Sequence, residues 1–210
     1  MGGKPGASRA RVKFAAKHKE IASMPVQTQK PALTRSALWP DLALVAFLVA
    51  FDVVARLLPH AYGFLPIAAS GLFAARVLRL PALAIVVPVA AMSISSGIAF
   101  GQDDWRIALI VYAAISIPAI VGILSRGKLG AVGTVAVMLP CSLAFFALSN
   151  FAVWAFSGMY SLDLAGLTQC YIAALPFLQY TVAGDMFWTA VLFGGYWAIQ
   201  HVPALARRPH

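Results

Sequence analysis

Two carboxylates stand in stretches of sequence that otherwise hold few polar groups: Asp52 in the apolar run Leu42–Leu58, and Asp185 at the start of the run Val182–Ile199. An ionisable side chain at the centre of a membrane helix costs about 2.5–3.5 kcal/mol on insertion scales, so a residue of this kind marks a functional candidate. Asp52, Arg56 and His60 are spaced four apart and share one helical face. An Asp52–Arg56 pair that lowers the insertion cost, with Arg56 reaching outward, explains that spacing equally well. Asn150 and Trp154 are again four apart, with Tyr160 just beyond them, and Asp185, Trp188 and Thr189 fall within about one turn. Counting from the ends of the apolar runs puts Arg56, His60, Asn150, Trp154, Tyr160 and Asp185 at a common depth, with Gln169 nearby. A few convergent polar groups among apolar walls suit a small-molecule site. There Asp185 would meet a cationic group or a coupling proton, and Trp154 would stack on a ring. Taken singly, Trp154, Tyr160 and Trp188 also fit the aromatic belt of a membrane interface, and Asn150 a hydrogen bond between helices.

The residue types of catalysis are not assembled in this way. HExxH, GxSxG, a Walker lysine loop and CxxC are all missing. Ser93, Ser95 and Ser96 have no histidine in their region to act as base. Cys141 and Cys170 define neither a disulfide framework nor a metal spacing. The expectation is a protein that is not an enzyme, with no catalytic residues, no metal and no cofactor.

The elements that must position the candidate residues follow from composition. The chain has 210 residues, 61% hydrophobic and only 11% charged, with a mean hydropathy of +0.82. Soluble domains carry about 25% charged residues, so a water-facing surface cannot be built here, and disorder is excluded by the same hydrophobicity. Apolar runs at Leu42–Leu58, Phe64–Val77, Ala82–Phe100, Ile107–Leu124, Leu129–Phe156 and Val182–Ile199 predict an all-α polytopic membrane protein of six transmembrane helices. A span needs about 20 mostly apolar residues, which leaves the second run short and the fifth long. The runs lack the two-residue alternation of a membrane barrel. With the amino terminus inside, 14 basic residues fall in inner segments and 2 in outer ones, which satisfies the positive-inside rule and puts both termini in the cytoplasm. The net charge of +9 is thereby explained by orientation, without nucleic acid as a partner. Leu164–Tyr180, with Pro176, Gln169 and Gln179, reads as an outer-face helix or re-entrant segment, because a seventh span would put Arg207 and Arg208 outside. The domain reading is a basic tail over 1–40, a six-helix domain over 41–201 and a short basic tail over 202–210. Within the first tail, Ala10–Met24 reads as a solvated segment or as a basic amphipathic helix on anionic lipid.

Several segments carry a resemblance. Arg56-Leu-Leu-Pro-His60, Phe64-Leu-Pro-Ile-Ala-Ala69, Ser149-Asn-Phe-Ala-Val-Trp154, Gly158-Met-Tyr160, Leu164-Ala-Gly-Leu167, Cys170-Tyr-Ile-Ala-Ala-Leu-Pro-Phe177, Gly184-Asp185 and Leu192-Phe-Gly194 together resemble an uncharacterised family of bacterial membrane proteins classed with transport. The resemblance spans roughly Arg56 to Gly194. The chain departs from the family pattern at Gly63 and Leu65, where Asn and Thr are usual, and at Ser95–Ser96, where a Ser-Asp pair is usual. The family is similar in size and layout to the S components of energy-coupling-factor transporters. That similarity implies an S-component-like bundle in the bacterial inner membrane, a solute bound near the outer face, and a transmembrane coupling subunit with paired ATPases as partner. It also implies that Ala46 and Ala50, the ends of Ala46-Phe-Leu-Val-Ala50, form the docking face. Two functions are expected on these grounds: a solute-binding component in uptake, or a non-transporting accessory subunit of a membrane complex.

Overall fold

A computed structural model describes residues 35–59, 63–99 and 104–205. Of the expected tails over 1–40 and 202–210, residues 1–34 and 206–210 lie outside the described residues, as does His60. The described residues from Ser36 onward form one compact unit. It is built from helices α1 (Arg35–Leu57), α2 (Ile67–Val77), a 3-10 turn (Pro81–Ile85) feeding α3 (Val86–Ala99), α4 (Trp105–Leu124), α5 (Ala131–Ala136), α6 (Met138–Phe156) and α7 (Leu164–Leu205). Each of the six apolar runs is helical over most of its length. Among the described residues, three segments are long and apolar enough to cross a membrane: Leu38–Leu57, Trp105–Leu124 and Ala131–Phe156.

Local chemistry sets most boundaries. Asp104 caps α4 by accepting from the Arg106 backbone N–H at 2.8 Å. Asp163 caps α7, its carboxylate accepting from Gly166 N–H at 2.7 Å and from Ser161 Oγ at 2.8 Å. Pro140 has no N–H for the Ala136 carbonyl and crowds it, and α5 ends at Ala136, with a turn at Val137 before α6.

The structure corrects the reading of Leu164–Tyr180 as a separate segment: it is the first part of α7, one uninterrupted helix of 42 residues. Between Tyr180 and Val182 there is no glycine cap or proline stop, and Thr181 Oγ1 returns a hydrogen bond to the Phe177 carbonyl at 3.2 Å. Gln169 and Gln179, which gave the stretch its polar look, lie on exposed faces of the helix, as does Pro176. The helix also passes the expected domain edge at 201 and ends at Leu205.

Helix α2 occupies the centre. Ile67 and every residue from Ala69 to Ala75 are buried, as expected of a helix apolar on all sides. It is also short, about 16 Å at 1.5 Å per residue, or half of a hydrocarbon core of about 30 Å. Small residues bring its neighbours close: a Cβ on Gly122 of α4 would stand 2.7 Å from Ala75 Cβ and 3.0 Å from Leu72 Cδ1. Val45 and Leu48 of α1, Phe73, Ala74 and Ala75 of α2, and Val87 of α3 form the main core with Leu78, Ala84 and Ala119. The buried Asp41 carboxylate ties the start of α1 to the Leu80 N–H at 2.9 Å.

Candidate functional site

Because α2 starts only at Ile67, the four residues before it, Gly63–Pro66, are not helical, and they pack against the middle of α7. Two glycines allow the approach. Gly63 has φ +87°, and a Cβ there would meet Thr181 Oγ1 at 2.7 Å, while a Cβ on Gly184 would stand 2.8 Å from Phe64 Cα. Irregular backbone inside an apolar bundle is tolerated where protein covers it or where it borders a wet cavity.

The two acidic candidates flank this loop. Asp52 is fully buried; Ser70, in the first turn of α2, donates from Oγ to Asp52 Oδ1 at 2.8 Å, and Oδ2 has no partner. Asp185 is 4% exposed and receives a hydrogen bond from Ser142 Oγ of α6 at 2.5 Å. One turn on, Trp188 Nε1 and Thr189 Oγ1 are buried without partners. A buried polar atom left unpaired costs about 1–3 kcal/mol. Aromatic rings line the seam: Trp188 lies edge-on to Phe51 at 5.5 Å and to Phe187 at 5.1 Å, and 6.3 Å from Phe64. Among the described residues the ion pair is Arg106–Asp104, at the exposed start of α4. The group that meets Asp52 is therefore Ser70, where the sequence spacing offered Arg56; the Arg56 guanidinium instead reaches the Met92 sulfur on α3.

The remaining expected site residues do not gather around Asp185. Asn150 Nδ2 donates to its own helix at the Phe146 carbonyl, 2.8 Å away. Trp154 Nε1 closes the α6–α7 turn by donating to the Ser161 carbonyl at 2.9 Å. Tyr160 is half-buried in that turn, and Gln169 is exposed. Cys170 Sγ lies 3.5 Å from the Asn150 carbonyl, so Asn150 is level with a residue fifteen positions before Asp185 on the same helix, about 22 Å along its axis. Ala46 and Ala50 are exposed on the outward stripe of α1. Ser70, Ser142 and the Gly63–Pro66 loop were not singled out from the sequence. A serine within an apolar run, facing a carboxylate on another run, is the signal that would have found the first two.

At the α4 and α7 starts the carboxylates, Asp104 half-buried and Asp163 exposed, are strongly held. The Arg106 guanidinium pulls Asp104 down to about 2, and the Gly166 N–H with the Ser161 hydroxyl lowers Asp163. Cys141 and Cys170 are free and buried, and no group of histidine, cysteine and acidic residues able to hold a metal occurs among the described residues. No curated protein and no solved structure matches the sequence. Residues 36–205 match a family of unknown function, DUF6580, over most of the chain, and the protein belongs to that family.

Proposed function

We propose that this chain is a six-span protein of the bacterial inner membrane, both termini cytoplasmic, that binds a small solute carrying a cationic group and serves its uptake, as the solute-binding component of a larger transporter. The observation that carries this reading is the pair of buried aspartates beside the Gly63–Pro66 loop, each met by one serine hydroxyl and neither met by a described cation. A cationic solute offsets the cost of two buried carboxyls. The faces of Trp188, Phe51 and Phe64 add cation–π attraction, about 2 kcal/mol in a dry site. Trp188 Nε1 and Thr189 Oγ1 supply further hydrogen-bonding groups. On this reading the solute sits at Asp52 and Asp185, with Asn150, Trp154, Tyr160 and Gln169 along the outer approach.

Thermal-shift measurement of the purified full chain against amines, vitamins, nucleobases and metal ions tests the reading. A cation-bearing solute should raise the melting temperature, and Asp52→Asn and Asp185→Asn should each weaken the shift. No stabilisation by any solute, or full stabilisation in both variants, refutes it. The exposed Ala46 and Ala50 of α1 favour a second reading, an accessory subunit whose α1 docks on a larger membrane protein, alone or in addition to solute binding. Co-purification followed by mass spectrometry separates the two: ATPases among the partners support transport, and a stable partner of another kind with no solute response supports the accessory role.

A further inference from the structure

At the opposite end of α2 from the Gly63–Pro66 loop, Arg76 and Arg126 border a cleft of about 320 Å³ whose floor includes Gly130, Thr134 and Phe193. Arg76 is fixed there by three hydrogen bonds. It donates to the Ser125 carbonyl at 2.7 Å, to the Leu129 carbonyl at 3.0 Å and to Thr134 Oγ1 at 2.6 Å, which pins the turn between α4 and α5. A guanidinium has five N–H donors, so two on Arg76 remain, in a plane the protein has already oriented. Arg126 is exposed and makes one long bond, 3.5 Å to the Ala75 carbonyl. No acidic residue lines the cleft; Asp41, the acidic residue nearest in sequence to the start of the fold, is engaged by the Leu80 N–H. Lys128 follows two residues after Arg126, and Gly127 and Gly130 leave open space where side chains would stand.

We propose that this cleft is an anion site for a phosphate group, bound by the fixed guanidinium of Arg76 and the adjustable one of Arg126. Arg126, whose Nε and Nη2 make no hydrogen bond, keeps the paired edge with which arginine gives its strongest bidentate contacts to phosphate oxygens. Arg76 adds a fixed positive charge and its remaining Nε–H and Nη1–H donors, with no acidic residue lining the cleft. The phosphate has two sources, the headgroup of an anionic lipid or a soluble phosphate. Basic pockets between membrane helices take lipid headgroups, and a cleft opening at the end of the bundle also admits a soluble ion.

The test uses the full chain in neutral detergent at matched ionic strength. Inorganic phosphate is added against chloride, and phosphatidylglycerol against phosphatidylcholine, with melting temperature and native mass spectrometry as readouts. Binding should weaken about tenfold in Arg126→Gln, the loss of one charge-assisted contact, and recover in part in Arg126→Lys. A response to phosphate identifies a soluble ligand, and retention of phosphatidylglycerol alone identifies a lipid site; either supports the proposal when it falls in Arg126→Gln. Equal behaviour in phosphate and chloride together with equal retention of the two lipids by the wild-type chain overturns it, as does binding that is unchanged in Arg126→Gln. The wild-type comparison decides the matter even where a variant does not fold.

Discussion

Replacing Gly184 by alanine puts a methyl group where the Gly63–Pro66 loop now touches α7. The added Cβ would lie 2.8 Å from Phe64 Cα, 3.3 Å from Phe64 C and 3.2 Å from Leu65 N. All three are backbone atoms, so no side-chain rotation relieves the overlap, and the loop must move away from the helix. Overpacking of this kind costs about 1–3 kcal/mol, with rigid backbone at the upper end, while alanine returns up to about 1 kcal/mol of helix propensity. The net loss is about 2 kcal/mol, and for a chain of this size each kcal/mol moves the melting temperature by about 2–4 °C. Gly184→Ala should therefore melt about 4–8 °C below the parent. Gly194 supplies the control: it lies on the same helix with nothing within 4 Å of its Cβ position. Gly194→Ala gains propensity alone and should melt about 2–4 °C higher. The assay is thermal unfolding of the two variants in one detergent, followed by intrinsic fluorescence. A Gly184→Ala protein as stable as Gly194→Ala would refute the close packing of loop on helix, and with it the placement of Asp185 beside irregular backbone.

Ser142→Ala removes the hydrogen bond to buried Asp185 and should destabilise by about 1–3 kcal/mol. The loss should shrink in an Asp185→Leu background if the two side chains act as a pair, and an additive double-mutant cycle would contradict the contact. Acid should weaken the fold through Asp104 and Asp163, whose folded-state values lie below the ordinary 3.8. Their stabilisation is present above that value and is lost as pH falls below it, for Asp104 through about 2. The melting temperature of Asp104→Asn/Asp163→Asn should accordingly be lower at neutral pH and flatter across that interval; an unchanged acid profile counts against both caps. For the proposed orientation, Gly158→Cys should react with an impermeant maleimide on intact cells and Lys128→Cys only after permeabilisation, and the reverse pattern inverts the topology.

Where the sequence was legible, the physics was local. A continuous apolar run with no two-residue alternation has to be helical, although the run Leu129–Phe156, expected as one span, is divided at Val137 because Pro140 removes the N–H that the Ala136 carbonyl would meet. The long α7 was less legible. Pro176, Gln169 and Gln179 together looked like an interruption, but a helix with one exposed face accommodates all three. That misplacement carried into the site. Depth counted from Val182 sets Asn150 level with Asp185, but with α7 starting at Leu164 the Asn150 level falls near Cys170, far from Asp185. The choice of Asp52 and Asp185 as the unusual residues needed only their burial cost. Their partners did not follow from spacing, because Ser70 and Ser142 lie on other helices, and pairing across helices depends on packing that no single run encodes.

Helix α7 has a mechanical consequence. At 1.5 Å per residue its 42 residues make a rod about 63 Å long, and the clamp of Gly184 on the Phe64 backbone grips it close to its midpoint. Its first part is tied to α6 by the Tyr171 hydroxyl, which donates to the Ala147 carbonyl at 2.6 Å, and its last part is held on α2, where Phe193 and Tyr196 lie edge-on to Phe73 at 5.2 and 5.7 Å. A single element therefore runs from the α6–α7 turn to the Phe193 wall of the Arg76 cleft, and Asp185 stands between its two anchorages.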